Sequence, residues 1–289
     1  MTIHTIWKFS RPHTIIGSII SIIVLFLLQG GRVPEHFMFL CATLLSALGC
    51  NVCITGLNQI IDVELDKINK PKLPIASGEL DINTAKKIVF IAGMIALIVA
   101  ALLHWVLFLL IVVILFLGIA YSVPPIQFKK HHLPAALSIT IVRGVLVNIG
   151  MALHFAGLIQ GNFVIQPVIY PLTIFISTFS LAIAWYKDLP DTAGDAHFGY
   201  KTFPLLYSAK LSLYLGAAFV MCAYAYCIFW CFRASEQLLM YSLVALSIAF
   251  LSQVLAVRLN ELTSIKRFYQ RFWVLFFATY LSFLWILIN

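Results

Sequence analysis

The residues best equipped for chemistry fall in two short acidic stretches. In NQIIDVELDKINKPKLPIASG, Asn58, Asp62 and Asp66 recur at i, i+4 and i+8. On an α-helix that spacing drifts by about 80°, so all three metal-capable oxygens share one face. Asp188, Asp191 and Asp195 form the second group, in YKDLPDTAGD. Pro190 and Gly194 interrupt it, which predicts a broken helix end rather than a regular turn. Carboxylates beside hydrocarbon cost about 2.5–3.5 kcal/mol each on insertion scales, so facing groups of them require cations. Mg²⁺ takes one or two carboxylates and completes its shell with water and substrate phosphates, which suggests ions shared between the protein and a diphosphate.

The nearby bases fit the same ligand. Lys67 and Lys70 follow the first group, Lys187 precedes the second, Lys201 follows it, Lys129 precedes the fifth apolar segment and Arg143 lies within it. All are candidate diphosphate contacts. An arginine inside a span faces the protein interior and finds a partner there. For Arg143, in SITIVRGVLVN, that partner is either a diphosphate, bound bidentately, or one of the aspartates in a structural ion pair.

The elements that carry these groups are membrane spans. The 289 residues are 62% hydrophobic and 10% charged, with mean hydropathy +1.00, against roughly 45–50% apolar and 25% charged in a soluble domain. The chain therefore reads as an integral membrane protein, all-α, with one transmembrane domain over 1–289 and no polar block long enough for a separate soluble unit. Unbroken apolar runs exclude a lipid-embedded barrel, whose strands alternate. No small-residue cleavage pattern follows the N-terminus, so the first segment is expected to be a retained helix. The six cysteines all lie in apolar runs; Cys50 and Cys53 form a CxxC without companion ligands and are expected to be inert packing.

Runs long enough to cross a bilayer fall near 14–30, 37–61, 84–103, 105–122, 134–158, 166–187, 207–231, 237–258 and 271–288, with the weakest division at His104. These about nine helices put the N-terminus and the connections after the second, fourth, sixth and eighth on one side. Of the 19 Lys and Arg, all but Arg32, Arg143 and Arg233 lie there, and so do all of the 11 Asp and Glu except Glu35 and Glu236. Such a basic excess marks a cytoplasmic face, so the N-terminus and both acidic groups are expected inside and the C-terminus outside, in a bacterial inner or thylakoid-type membrane. The net charge of +8 is then mainly an orientation signal, with the lipid bilayer and not nucleic acid as its partner.

Taken as a pair on one side of nine spans, NxxxDxxxD from Asn58 and KDxxDxxGD from Lys187 resemble the UbiA superfamily of intramembrane prenyltransferases. FSRPHTIIG, GLNQIIDVELDKINKPKLPIASGE, YSVPPIQFKK, VRGVLVNIG and KDLPDTAGDAHFGYKTFP narrow the resemblance to its homogentisate prenyltransferase branch. The likeness spans nearly the whole chain and weakens after about Pro204. It implies nine transmembrane helices around a central cavity open to the cytoplasmic side. It also implies Mg²⁺ bound through a prenyl diphosphate by Asn58, Asp62, Asp66, Asp191 and Asp195, with Asp188 assisting or holding Lys187, and phosphate contacts from Lys129 and Arg143.

The activity so implied is ionisation of an allylic diphosphate followed by attack of an electron-rich ring on the allyl cation, with homogentisate the expected acceptor, losing CO₂. For that small aromatic acid the candidate contacts are Arg11, His13, Tyr121 and Asn148, with Arg11 alternatively an interface anchor. Phe155, Phe175, Trp185 and Tyr121 are further candidates to line the cavity. Two alternatives stay open: a sister prenyltransferase with another acceptor, such as 4-hydroxybenzoate or a naphthoate, and an ion-coupled transporter, whose intramembrane acids favour the midplane. The sequence sets neither donor length nor oligomeric state.

Overall fold

A computed structural model describes residues 2–288. In lipid every backbone N–H and C=O needs a partner within its own segment, and continuous apolar runs meet that need as helices. The helices are α1 (Ile3–Phe9), α2 (Pro12–Leu28), α3 (Phe37–Ile61), α4 (Val63–Asn69), α5 (Ile82–Leu103), α6 (Trp105–Ser122) and α7 (His132–Gln160). Then come α8 (Ile169–Tyr186), α9 (Thr192–His197), α10 (Phe203–Leu206), α11 (Ala209–Ala234), α12 (Gln237–Ala256) and α13 (Leu262–Ser282), the last continued by a tighter turn over Phe283–Leu287. Among the described residues eight helices are long and apolar enough to cross a membrane, and α1 with α2, bent by 74°, would make a ninth. No strand is present among them, only an isolated bridge between His131 and Lys201.

The expected spans match these helices to within a few residues, except the last. That helix starts at Leu262 and not near 271, because Lys266, Arg267 and Arg271 extend it as an amphipathic turn that an apolar window does not register. The division at His104 is a single extended residue (φ −165°, ψ 135°) between α5 and α6.

Outward faces carry large apolar side chains such as Phe90, Leu102, Phe116, Ile248 and Leu255, as lipid contact demands. With lipid as apolar as the core, close packing holds such helices together. At the α3–α5 contact a Cβ on Gly49 would lie 2.7 Å from the Ala92 carbonyl, and the Ser46 hydroxyl donates to the Ala96 carbonyl at 2.8 Å. The central element is α8, whose Phe175 and Phe179 are fully buried, the first meeting Tyr224 edge to face and the second stacking on Phe272. At the bundle end away from the acidic groups, Gln29 bonds to the Ala152 carbonyl, the Gln160 side chain and the Gln166 N–H, tying α2 to α7 and α8.

All six cysteines are free thiols. Phe155, Phe175 and Trp185, expected as cavity candidates, are packed into the core instead.

Candidate active site

The first acidic group does not lie on one continuous helix. Asp62 ends α3 and begins α4, with φ −99° and ψ 19°. The spacing survives because i→i+4 bonds run on through the break: Asp62 N–H to the Asn58 carbonyl at 3.0 Å, and Asp66 N–H to the Asp62 carbonyl at 2.7 Å. Asp62 and Asp66 are buried at 7% and 3% exposure. The second group follows the end of α8 through a turn at residues 187–191 and continues into α9, with Asp188, Asp191 and Asp195 all buried.

Asn69, which the sequence did not single out, joins the two groups. Its amide donates to Asp195 Oδ1 at 3.2 Å, and its oxygen accepts the Gly194 N–H at 2.9 Å. Gly194 is therefore not a helix breaker. A Cβ there would lie 2.4 Å from Asn69 Oδ1, so the missing side chain is what lets α9 approach α4.

Lysines cover the carboxylates. Lys129 Nζ donates to Asp62 Oδ1 at 2.5 Å in a pair almost wholly removed from solvent, Lys187 donates to Asp188 at 2.5 Å, and Lys70 pairs with Asp191. Tyr200, also missed, points its hydroxyl at Asp62 Oδ1 from 3.5 Å. Asn58 donates to Asp62 Oδ2 at 3.0 Å and accepts from the Arg11 guanidinium at 3.1 Å. Arg11 sits at the α1–α2 bend with φ 55°. A continuous polar chain therefore runs from Arg11 through Asn58 and Asp62 to Lys129.

Two of the expected diphosphate bases lie elsewhere. Lys67 bonds Glu64 at 2.7 Å on the exposed face of α4, because a position one residue past Asp66 turns about 100° away from the acidic face. The Lys201 side chain is exposed; its backbone ties the loop after α9 to the Lys129 loop, through bonds to Lys130 and His132. Asn148 is a third correction. It is wholly buried, lines neither chamber, and spends its amide on the carbonyls of Arg143 and Gly144 and on the Tyr280 hydroxyl.

Burial pushes the Asp66 carboxyl up to about 6, with Lys70 and Arg11 pulling it back. Burial, reinforced by Asp188, pushes Asp195 up to about 7. Burial also draws the Lys129 ammonium below its ordinary value, against the pull of Asp62.

Next to Asn58 and Lys187 lie two adjoining chambers with shared walls. The outer one, about 230 Å³, is lined by Arg11, His13, Asn58, Tyr121, Ser122 and Lys187 among others. The inner one, about 200 Å³, is mostly apolar, with Cys50, Ile111, Met151 and Phe276 alongside Thr14, Ser18 and Asn51. Arg143 and Trp273 stand in the walls of both. Of the expected acceptor residues, Arg11, His13 and Tyr121 thus face the outer chamber; the His13 ring meets the Trp273 ring at 5.0 Å. The aromatic wall from α13 was missed, although Tyr269, Trp273, Phe276 and Tyr280 sit at helical spacing in the sequence.

Among the described residues no three His, Cys, Asp or Glu side chains are grouped to hold a metal by themselves. The donor set is hard oxygen, and Asp66 Oδ2 is buried with no hydrogen-bond partner. One free carboxylate oxygen beside lysine-bound carboxylates fits a cation that brings phosphate ligands with it, as Mg²⁺ does.

Paired acidic helix ends, set against lysines at the mouth of an apolar chamber, define a membrane enzyme class that handles a polyanionic head on an oily tail. The chain belongs to the UbiA prenyltransferase family, whose model matches residues 18–280. It is 38% identical to homogentisate phytyltransferase of Synechocystis sp., over 99% of this chain and 97% of that protein. It is 35% identical to the chloroplastic homogentisate phytyltransferase 1 of Arabidopsis thaliana, over 95% of this chain and 73% of that protein. The fold matches the solved structure of a UbiA homolog from Archaeoglobus fulgidus bound to GPP and Mg²⁺, at TM-score 0.64 and 17% identity, covering 95% of this chain and 99% of the other. The chain is accordingly a multi-pass membrane prenyltransferase, and the transporter alternative falls.

Proposed function

We propose that this enzyme transfers a phytyl or geranylgeranyl group from its diphosphate to homogentisate, in tocopherol or prenylquinone synthesis, with a single catalytic domain over 1–289. The observation that carries the reading is the pairing of the two acidic helix ends through Asn69 beside a chamber whose outer wall presents Arg11, His13 and Lys187. Both named relatives act on homogentisate, which supports that acceptor.

In this reading Asn58, Asp62, Asp66, Asp188, Asp191 and Asp195 would hold Mg²⁺ together with the donor's diphosphate. Bound there, the cation would supply charge stabilisation to the departing pyrophosphate. Lys70, Lys129 and Lys187 exchange their carboxylate partners for phosphate oxygens, and Arg143 reaches the same anion from the chamber wall. Positive charge fixed in a site with little water stabilises a leaving group as its charge develops. The allylic C–O bond breaks, and its electron pair leaves with pyrophosphate. The chamber's apolar walls keep water from the allyl cation, and the faces of Trp273 and Tyr269 can stabilise it. A ring carbon of homogentisate activated by a neighbouring hydroxyl forms the new C–C bond and gives up its proton, which restores the aromatic ring; the acetate arm loses its carboxyl carbon as CO₂ and takes up a proton there, leaving a methyl group. Arg11 and His13 meet the acceptor from the outer wall.

The test is turnover of purified protein with Mg²⁺, phytyl or geranylgeranyl diphosphate, and homogentisate labelled at its carboxyl carbon. Labelled CO₂ should appear in proportion to prenylated product. Product that keeps the label, or prenylation of 4-hydroxybenzoate in preference, would move the chain to a sister activity.

A further inference from the structure

The strongest signal outside the acidic site is the winding of α7. Over Ile141–Gly150 the helix opens to π-helical register, a rare geometry that concentrates at functional sites. Arg143 lies in this segment. Among the described residues it has no carboxylate partner and is the one Lys or Arg lining the inner chamber. Its guanidinium carbon lies 4.5 Å from the Trp273 ring centre and 5.8 Å from that of Phe276.

The backbone beneath Arg143 is held on one side by a side-chain tie and on the other by close packing. Asn148 donates from its amide to the Arg143 carbonyl at 3.1 Å and to the Gly144 carbonyl at 2.7 Å. The Tyr280 hydroxyl donates to Asn148 Oδ1 at 2.7 Å, and neither side chain is exposed. On the outer side Gly144 rests on α8, where a Cβ would lie 2.5 Å from Ser177 Cα. Tyr280 follows Trp273 by seven residues and Phe276 by four, so one stripe of α13 supplies both the ring beneath the guanidinium and the hydroxyl that fixes its backbone. With its amide hydrogens and oxygen so engaged, Asn148 serves the protein rather than a substrate.

We infer that Asn148 and Tyr280 are positioning residues that hold the open-wound turn of α7 so that Arg143 is presented to the donor's diphosphate. The inference rests on the prenyl-transfer reading above. An arginine already stacked and anchored loses little freedom when it meets an anion, which is how a supporting shell improves binding without touching the ligand. Loss of the Tyr280 hydroxyl frees Asn148 to rotate and the turn to relax.

The experiment is a double-mutant cycle between Tyr280→Phe and Arg143→Gln, with Asn148→Ser carried in parallel as a second way of cutting the same tie. Tyr280→Phe alone should raise KM for geranylgeranyl diphosphate about tenfold, the worth of one hydrogen bond at about 1.4 kcal/mol per decade, and leave KM for homogentisate unchanged. In the Arg143→Gln background the same change should add nothing, because its route runs through the missing guanidinium. Multiplying effects, or a rise confined to the acceptor's KM, would overturn the assignment. An independent readout is Trp273 emission, taken as the difference from Trp273→Phe protein. Tyr280→Phe and Asn148→Ser should each move it in the direction that Arg143→Gln does, and an unmoved signal in both would also overturn the proposal. Emission needs no turnover, so wild-type protein inert toward prenyl diphosphates would refute the prenyl-transfer reading while the clamp is still judged.

Discussion

Asp66 shows how one atom sets the chemistry of its surroundings: its Oδ2 is buried without a partner, while Asp62, Asp188 and Asp191 each hold a lysine. Asp62→Asn, Asp66→Asn, Asp191→Asn and Asp195→Asn should each remove nearly all turnover while the protein still purifies as a folded monodisperse species, because a neutral amide holds a shared cation poorly. EDTA should abolish activity and Mg²⁺ restore it; two active variants among the four would defeat the assignment. A pH dependence follows from the raised values of Asp66, about 6, and Asp195, about 7. Between the ordinary carboxyl value of 3.8 and these, the folded chain holds protons that the unfolded chain has lost, so stability falls as pH rises through that window. Activity should run the other way, rising from pH 5.5 to 7.5 as the two carboxyls ionise. Without Mg²⁺ the melting temperature should decline over the same range, and Mg²⁺ with pyrophosphate should flatten the decline, since a cation competes with the proton. A melting temperature that climbs with pH in metal-free buffer would show that these carboxyls are not held protonated. At this scale the sequence identified the acids through their spacing, named Lys70, Lys129 and Lys187 as bases and offered Asp188 as a partner for Lys187; that Lys129 covers Asp62 was not legible, because it reaches across 67 positions of chain.

Between elements, the decisive contact is α4 against α9, and it depends on Gly194 having no side chain. Gly194→Ala would force Asn69 to swing away and forfeit both its bonds, to the Gly194 N–H and to Asp195. Two hydrogen bonds at about 1 kcal/mol each are at stake, so activity should fall about tenfold or more. Asn69→Ala should cost a similar amount, and the double variant no more than either alone, as shared contacts require. Additive losses would mean that the two positions act separately. Spans were legible because apolar run length fixes a helix in lipid, and even the one-residue division at His104 showed. Register within the site was not. Helical spacing placed Asn58, Asp62 and Asp66 together although the helix breaks at Asp62, since the i→i+4 bonds continue through the break. The same arithmetic, applied more closely, turns Lys67 outward to Glu64. The stripe from Tyr269 to Tyr280 lay in the sequence too, but its destination depended on how α13 packs beside α2, a tertiary fact.

For the whole molecule, orientation has a physical handle in the charges. Helix ends alternate between two faces, and the face that carries α4, α9 and the Lys129 loop also carries Lys72, Lys86, Lys87, Lys210, Lys266 and Arg267; the other retains Arg32 and Arg233. Translocating so many cations would work against the membrane potential, at about 2.3 kcal/mol per charge for each 100 mV, and against attraction to anionic lipid. The acidic site should therefore open to the cytoplasm, where soluble homogentisate can enter past Arg11 and His13 while the prenyl tail arrives from the bilayer. Single cysteines on a cysteine-free background can report this, with Ser77→Cys in the exposed loop after α4 and Asn162→Cys in the exposed loop after α7. An impermeant maleimide applied to intact cells or spheroplasts should label position 162 and spare position 77, and inverted vesicles should reverse the pattern. Labelling of position 77 from outside would place the acids, their lysines and the mouth of the chamber on the far face, and the acceptor would then have to cross the membrane before it could be prenylated.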